Sequence, residues 1–132
     1  GTGALGLEAL SRGAAHATLV DDGARAHALM RQNIAKARVQ DKASLLRRDA
    51  TRLGRHEGPT FDVVFLDPPY GQGRGEVALA SAMQGDWIGA GAWIIWEESR
   101  PPMLPAGVTL LDRRNYGDTV VTLARVAAKE AA

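Results

Sequence analysis

The sequence contains no cysteine. Disulfide bridges and thiolate metal sites are therefore excluded, and the absence fits a reducing compartment. Histidine is scarce too: His16, His27 and His56 are scattered without the spacing of a ligand set. They read as surface or helix-edge residues, and no metal is expected. Long apolar runs are missing, since no stretch approaches the ~20 residues of a membrane span. No membrane partner is expected. The opening Gly1-Thr2-Gly3 has neither a basic leader nor an apolar h-region, so a cytoplasmic location is expected. A large excess of one charge is also missing: 16 Lys and Arg face 15 Asp and Glu, a net charge of +1. Arg47-Arg48, Arg52, Arg55 and Arg113-Arg114 form local basic clusters that read mostly as solvated surface. What remains is ordinary for one globular domain: 132 residues, 45% hydrophobic and 23% charged.

Helical and extended patterns alternate along the chain. Leu5, Leu7 and Leu10 predict a short helix closed by Gly13. Ala17 to Val20 reads as a strand ending in Asp21-Asp22. Residues 23–38 read as an amphipathic helix with Ala26, Met30, Ile34 and Ala37 on its apolar stripe. Ser44 to Arg47 is the next strand, ending near Asp49. Gly58-Pro59 breaks the chain before a buried strand, Phe61 to Leu66. Residues 71–75 read as a flexible loop and Glu76 to Met83 as a helix. Ala92 to Trp96 reads as another buried strand. Residues 108–115 and 119–126 pair as an antiparallel hairpin around Tyr116-Gly117-Asp118, with Asp118 bonding local backbone. Strands alternating with helices predict a parallel sheet covered on both faces, with ligands beyond the carboxyl ends of its strands. Asp21, Asp49 and Asp67 each follow a strand and are expected on one rim.

Asp67-Pro68-Pro69-Tyr70, directly after Val63-Val64-Phe65-Leu66, is the most specific feature. Asp67 and Pro68 both precede proline and are pushed to extended conformations. Pro68 and Pro69 have no N–H to donate to a ladder. The Pro68 carbonyl is left free to face a cleft. An amine conjugated to a ring has two hydrogens, one for the Asp67 carboxylate and one for that carbonyl. Those bonds aim its lone pair at an electrophile, while Tyr70 stacks on the ring, a contact worth roughly 1–3 kcal/mol. The pattern points to amino-methylation by direct displacement, with no metal. Catalysis would come mainly from orientation, and Asp67 need not be a strong base.

Gly1-Thr2-Gly3-Ala4-Leu5-Gly6 matches Gly-x-Gly-x-x-Gly, a pattern that allows tight turns and close backbone approach to an anionic ligand. Asp21 and Asp22 follow about twenty residues on, where a carboxylate binds ribose hydroxyls. The pattern suits a dinucleotide or S-adenosylmethionine. Asp49-Ala50, placed to read an adenine, and Asp67 to Tyr70, which have no role in hydride transfer, favour S-adenosylmethionine. A nicotinamide enzyme is the rival. Trp93 and Trp96 read as core packing. Glu97-Glu98 could face the cleft, or serve a solvated or capping role.

The blocks Gly1-Thr2-Gly3-Ala4-Leu5-Gly6-Leu7-Glu8-Ala9-Leu10-Ser11-Arg12-Gly13-Ala14, Asp67-Pro68-Pro69-Tyr70 and Tyr116-Gly117-Asp118-Thr119 resemble the RsmD family. These are bacterial methyltransferases that modify N2 of one guanine in 16S ribosomal RNA. The resemblance covers essentially the whole chain. It implies an α/β class I S-adenosylmethionine-dependent methyltransferase fold, Rossmann-like, with a mostly parallel seven-stranded sheet and a C-terminal antiparallel hairpin. The domain would span 1–126, with 127–132 as a tail. By the same resemblance Gly1 and Gly3 surround the methionine part of the cofactor. Asp21, with Asp22 beside it, grips the ribose, Asp49 and Ala50 contact the adenine, and Asp67, Pro68, Pro69 and Tyr70 form the catalytic motif. Arg74, in the following loop, would meet RNA. The implied partner is 16S ribosomal RNA or the small ribosomal subunit, and the implied state is a monomer. Family members carry a basic segment and a first, central strand ahead of Gly1, so the chain is expected to be truncated at its N-terminus. Two alternatives remain. One is an amino-methyltransferase for DNA adenine or cytosine, or for protein glutamine. The other is a non-catalytic fragment that binds cofactor or RNA.

Overall fold

The structure is a computed structural model that describes residues 4–68 and 71–128. The chain divides into two compact units, Gly1–Ala50 and Thr51–Ala132.

The first unit is a strand–helix–strand crossover preceded by a helix. Helix α1 is Ala4–Ser11, strand β1 is Ala17–Asp21, helix α2 is Ala24–Ala37 and strand β2 is Ala43–Arg47. β1 and β2 pair in parallel with unbroken register from Ala17↔Ala43 to Asp21↔Arg47. Met30 and Ile34, four residues apart on α2, are buried against Leu19, with Leu7, Val39, Ala43 and Leu45 around them. This is the apolar stripe read from the sequence, except that Ala37 is exposed and Asn33 is half-buried. The stripe ends early because the helix ends: Arg38 turns left-handed (φ 58°). Its N–H donates to the Ala35 carbonyl at 3.1 Å, and the Val39 N–H donates to the Ile34 carbonyl at 3.3 Å. That pair of bonds is a Schellman stop, and it swings Val39 into the core. Gly13 closes α1 as expected, with φ 106° and its N–H on the Leu10 carbonyl. Gly6 has a structural reason to be glycine. A Cβ there would collide with Leu19 Cδ2, so the missing side chain lets α1 lie directly on β1.

The second unit follows a single 3-10 turn, Ala50–Arg52. It contains β3 (Phe61–Leu66), α3 (Arg74–Gln84), β4 (Ile88–Glu98), β5 (Val108–Tyr116) and β6 (Thr119–Val126). The strand order is β3-β4-β6-β5, with β3 parallel to β4 and both remaining pairs antiparallel. The described residues thus form six strands in two sheets, with parallel pairs early and an antiparallel hairpin last. Leu79 of α3 packs on Ile94, Trp96 and Ala124, all fully buried. Gly75, in the first turn of α3, allows this contact, because a Cβ there would sit 2.6 Å from Trp96 Cζ2.

Several expectations change here. Phe61–Leu66 is not a buried strand: Val63 and Phe65 are exposed, as is Trp93 beside them on β4. β3 is the edge of its sheet, and α3 covers only the face that carries Val64, Leu66, Ile94 and Trp96. Among the described residues of this unit no helix packs on the other face, and Trp93 is partly exposed there rather than core. Its ring instead takes the Arg125 guanidinium at 4.6 Å. Residues 71–75 are not one loop either, because α3 already begins at Arg74.

His56 also has a larger role than a surface position. Its ring stacks on Trp87 at 4.2 Å and on Phe61 at 5.5 Å. Trp87 Nε1 donates to the Gly54 carbonyl at 2.8 Å, and the His56 N–H donates to the Gly85 carbonyl at 2.7 Å. These contacts fasten the segment before β3 to the turn between α3 and β4. Ladder bonding also runs past Val126: the Ala127 N–H donates to the Gly107 carbonyl, and its own carbonyl accepts from Gly91.

Candidate active site

In the first unit the acidic residues lie where the parallel strands end. Asp21 is the last residue of β1 and stands opposite Arg47, the last of β2. The Arg48 N–H donates to the Asp21 carbonyl at 3.1 Å, which brings Asp49 and Ala50 alongside the end of β1. Asp21, Asp49 and Ala50 are half-buried and Asp22 is exposed. The first unit thus gathers four of the expected cofactor residues at one strand edge. Gly1 and Gly3 lie outside the described residues.

Asp21 is held in place by its own turn. The Gly23 N–H, at the start of α2, donates to Asp21 Oδ1 at 2.8 Å. A side chain at Gly23 would press on that oxygen at 3.2 Å. Partial burial works against the charge on Asp21, while the Gly23 hydrogen bond favours it. The carboxyl lies below its ordinary value of 3.8. It is an anion throughout the neutral range, as a carboxylate that accepts hydroxyl donors must be.

In the second unit Asp67 and Pro68 follow β3 at its carboxyl end. Asp67 is exposed and Pro68 is half-buried; Pro69 and Tyr70 lie outside the described residues. The chain returns at Gly71 (φ 75°) and Gly73 (φ 67°), two left-handed glycines that turn it into α3. Leu66 pairs with Trp96, so Glu97 and Glu98 end β4 at the level of Asp67 and Pro68. Glu98 is only 4% exposed. Its Oε1 accepts the Gly71 N–H at 3.3 Å. The sequence offered no means to choose between Glu97 and Glu98. The alternation of β4 decides it, because Glu98 shares the covered face with Trp96 and Ile94.

Other groups lie elsewhere. Arg74 is the first residue of α3, directly after Gly73, rather than inside the loop. Among the described residues no cluster of three metal-ligating side chains occurs, and no helix is long and apolar enough to cross a membrane. A shallow hollow of about 190 Å³ lined by Gly54, Arg55, Ser81, Gln84 and Gly85 sits at the amino ends of β3 and β4. It is remote from Asp67 along the strand and takes no part in this site.

Residues 1–125 match the family Conserved hypothetical protein 95. The chain belongs to that family, the RsmD family. Ribosomal RNA small subunit methyltransferase D of Escherichia coli (strain K12) is 33% identical over 126 residues, covering 93% of this chain and 63% of its own length. YlbH of Bacillus subtilis (strain 168) is 30% identical over 131 residues, with 93% of this chain and 70% of the relative covered. The solved structure of HI0767 from Haemophilus influenzae superposes with a TM-score of 0.86 at 27% identity, covering 96% of this chain and 82% of that one. The chain thus spans less than two thirds of its Escherichia coli relative. The RsmD family is one of S-adenosylmethionine-dependent methyltransferases, and the fold of this member is the class I methyltransferase fold.

Proposed function

We propose that this RsmD-family chain transfers a methyl group from S-adenosylmethionine to the exocyclic N2 amine of a guanine in 16S ribosomal RNA. The observation that supports it most is Asp67-Pro68 at the carboxyl end of parallel strand β3, in a chain whose relatives are named ribosomal RNA methyltransferases. In this reading residues 1–126 act as one methyltransferase domain. It works in the cytoplasm as a monomer, on the RNA or the small ribosomal subunit.

The residues present fit the cofactor by their chemistry. A charged carboxylate at a strand end, fixed by its own Gly23 turn, suits the two hydroxyls of a ribose. Asp49 and Ala50 beside it offer an acceptor and a backbone N–H, the complement of an adenine edge. When bound, the cofactor supplies an electrophilic methyl on a sulfonium. Gly1 and Gly3 are assigned to its methionine part.

The chain's own contribution is orientation. Asp67 accepts one hydrogen of the amine and the Pro68 carbonyl accepts the other. Both bonds would pull the nitrogen lone pair out of the ring and leave it free to meet an electrophile. Tyr70 stacks on the base, and Pro69 stiffens the loop between them. With the cofactor bound, the amine nitrogen would take up the methyl as the sulfur gives it up, and would then shed one proton to solvent. A methylated cationic amine is strongly acidic, so Asp67 need only hold the amine and steady its growing charge.

Methylated-base analysis tests this reading. The full chain is incubated with S-adenosylmethionine and, separately, unmodified small subunits, free 16S RNA, DNA and protein. N2-methylguanosine in the RNA is the expected product. Methylated adenine or cytosine in DNA, or methylglutamine, would overturn the substrate assignment. Calorimetric binding of NAD in preference to S-adenosylmethionine would overturn the chemistry.

A further inference from the structure

We propose that Glu98 is a positioning residue for the Asp67-Pro68 site: its buried carboxyl group at the end of β4 fixes the chain at Gly71, four residues after Asp67, by accepting the Gly71 N–H. The inference rests on the reading of that site as the amine-binding site.

The reasoning starts from the two prolines. Pro68 and Pro69 have no N–H, so at two successive positions the loop cannot fasten itself to the sheet through a backbone donor. Sheet pairing between β3 and β4 ends at Leu66↔Trp96. Asp67 is exposed beyond that point. The next described backbone donor is Gly71, and its N–H goes to Glu98 Oε1 at 3.3 Å. One side chain therefore anchors the far end of a loop whose near end is fixed by the strand.

Burial makes that choice informative. Glu98 is 4% exposed, on the same face of β4 as the fully buried Trp96 and Ile94. A carboxyl group there gives up most of its hydration, and burying its oxygens is costly unless a donor meets them. Glutamate is a poor choice for a position that needs only packing. It is a good choice for one that must hold a backbone N–H. Gly71 in turn is left-handed and has nothing within 4 Å of its missing Cβ. Its glycine serves the turn, and its N–H serves Glu98. The effect on chemistry is indirect: a loop displaced by about 1 Å takes Asp67 and the Pro68 carbonyl off the amine, which can cost on the order of a hundredfold in rate.

The test compares Glu98→Gln, which keeps an acceptor oxygen, with Glu98→Met, which keeps the stem and volume without one. Three quantities are read on the full chain: amide exchange of the segment around Gly71, calorimetric affinity for S-adenosylmethionine, and kcat and KM for methyl transfer to RNA. For Glu98→Met, exchange near Gly71 rises about tenfold and kcat falls at least tenfold, with cofactor affinity unchanged. Glu98→Gln returns both to within about threefold of the parent. If Glu98→Met does not fold by circular dichroism, Glu98→Ala takes its place. Unchanged exchange near Gly71 in the acceptor-free variant overturns the proposal. So does a Glu98→Gln variant as impaired as Glu98→Met. Failure of the parent chain to methylate any RNA strikes the functional reading instead, and the exchange comparison still decides the tie.

Discussion

The two ends of the four-stranded sheet are held in different ways. At the amino ends of β3 and β4, His56, Phe61 and Trp87 stack, and backbone and indole hydrogen bonds lock them to Gly54 and Gly85. At the carboxyl ends, Asp67 is exposed and the loop returns to the fold through Gly71 on Glu98. One end is built to stay put. The other keeps polar groups free of the ladder, which is what a ligand-binding end requires. In the proposed reading the contrast separates stability from chemistry along a single pair of strands.

That separation can be broken by exchanging the effects. The largest is expected at the open end. Asp67→Ala should lower methyl transfer by more than a hundredfold, while moving stability by less than about 0.5 kcal/mol, as exposed substitutions do. Full activity in that variant, measured by radiolabel transfer to RNA, would remove Asp67 from the mechanism. At the fastened end the order reverses. Trp87→Ala should cost about 3–5 kcal/mol in denaturant unfolding, because it empties a buried site. Its rate per folded molecule should stay close to that of the parent. A Trp87→Ala variant of parental stability would mean that the aromatic stack fastens nothing.

The first unit gives a smaller and sharper test. Asp21 has its carboxyl held below the ordinary 3.8, with the Gly23 N–H on its oxygen. A lowered folded-state value means that the stability it adds is present above about 3.8 and is lost as pH falls through the lower, folded value. Cofactor affinity that depends on this charge should therefore be flat from about pH 8 to about pH 5. Asp21→Asn should weaken binding about tenfold across that whole range, by calorimetry. A parent affinity that collapses near pH 6 would show another group to be in control.

The smallest effect is expected at Arg38, whose left-handed φ of 58° closes α2. Arg38→Gly should relieve about 1 kcal/mol of backbone strain and raise the unfolding midpoint without touching either strand end. A loss of stability would show that the arginine side chain contributes more than its conformation costs.

Much of this arrangement is legible in the chain. Apolar spacing in α2 placed Met30 and Ile34 on one stripe, and both are buried against Leu19. Apolar β-branched runs bounded by Gly and Pro located the strands, and Asp21, Asp49 and Asp67 stood at their ends. What could not be read was which of two neighbours lies inside. Val63 and Phe65 look as buried as Val64 and Leu66 in a run of apolar residues, yet they are exposed on the open face of an edge strand. Glu97 and Glu98 look alike, and only the pleat of β4 turns Glu98 to the face of Trp96 and Ile94. Gly6 looked like part of a ligand-binding turn, but its missing side chain makes room for Leu19.

The sequence by itself determined the order of the elements, the acidic residue after each parallel strand, and the donor-free dipeptide Pro68-Pro69. These are local properties, set by side-chain periodicity and by the covalent chemistry of proline. The tertiary structure alone decided which strand is an edge, which face α3 covers, and that Glu98 meets Gly71 across 27 residues of chain. Those depend on which segments pack together, and no window of sequence records the neighbour that a residue will find on the next strand.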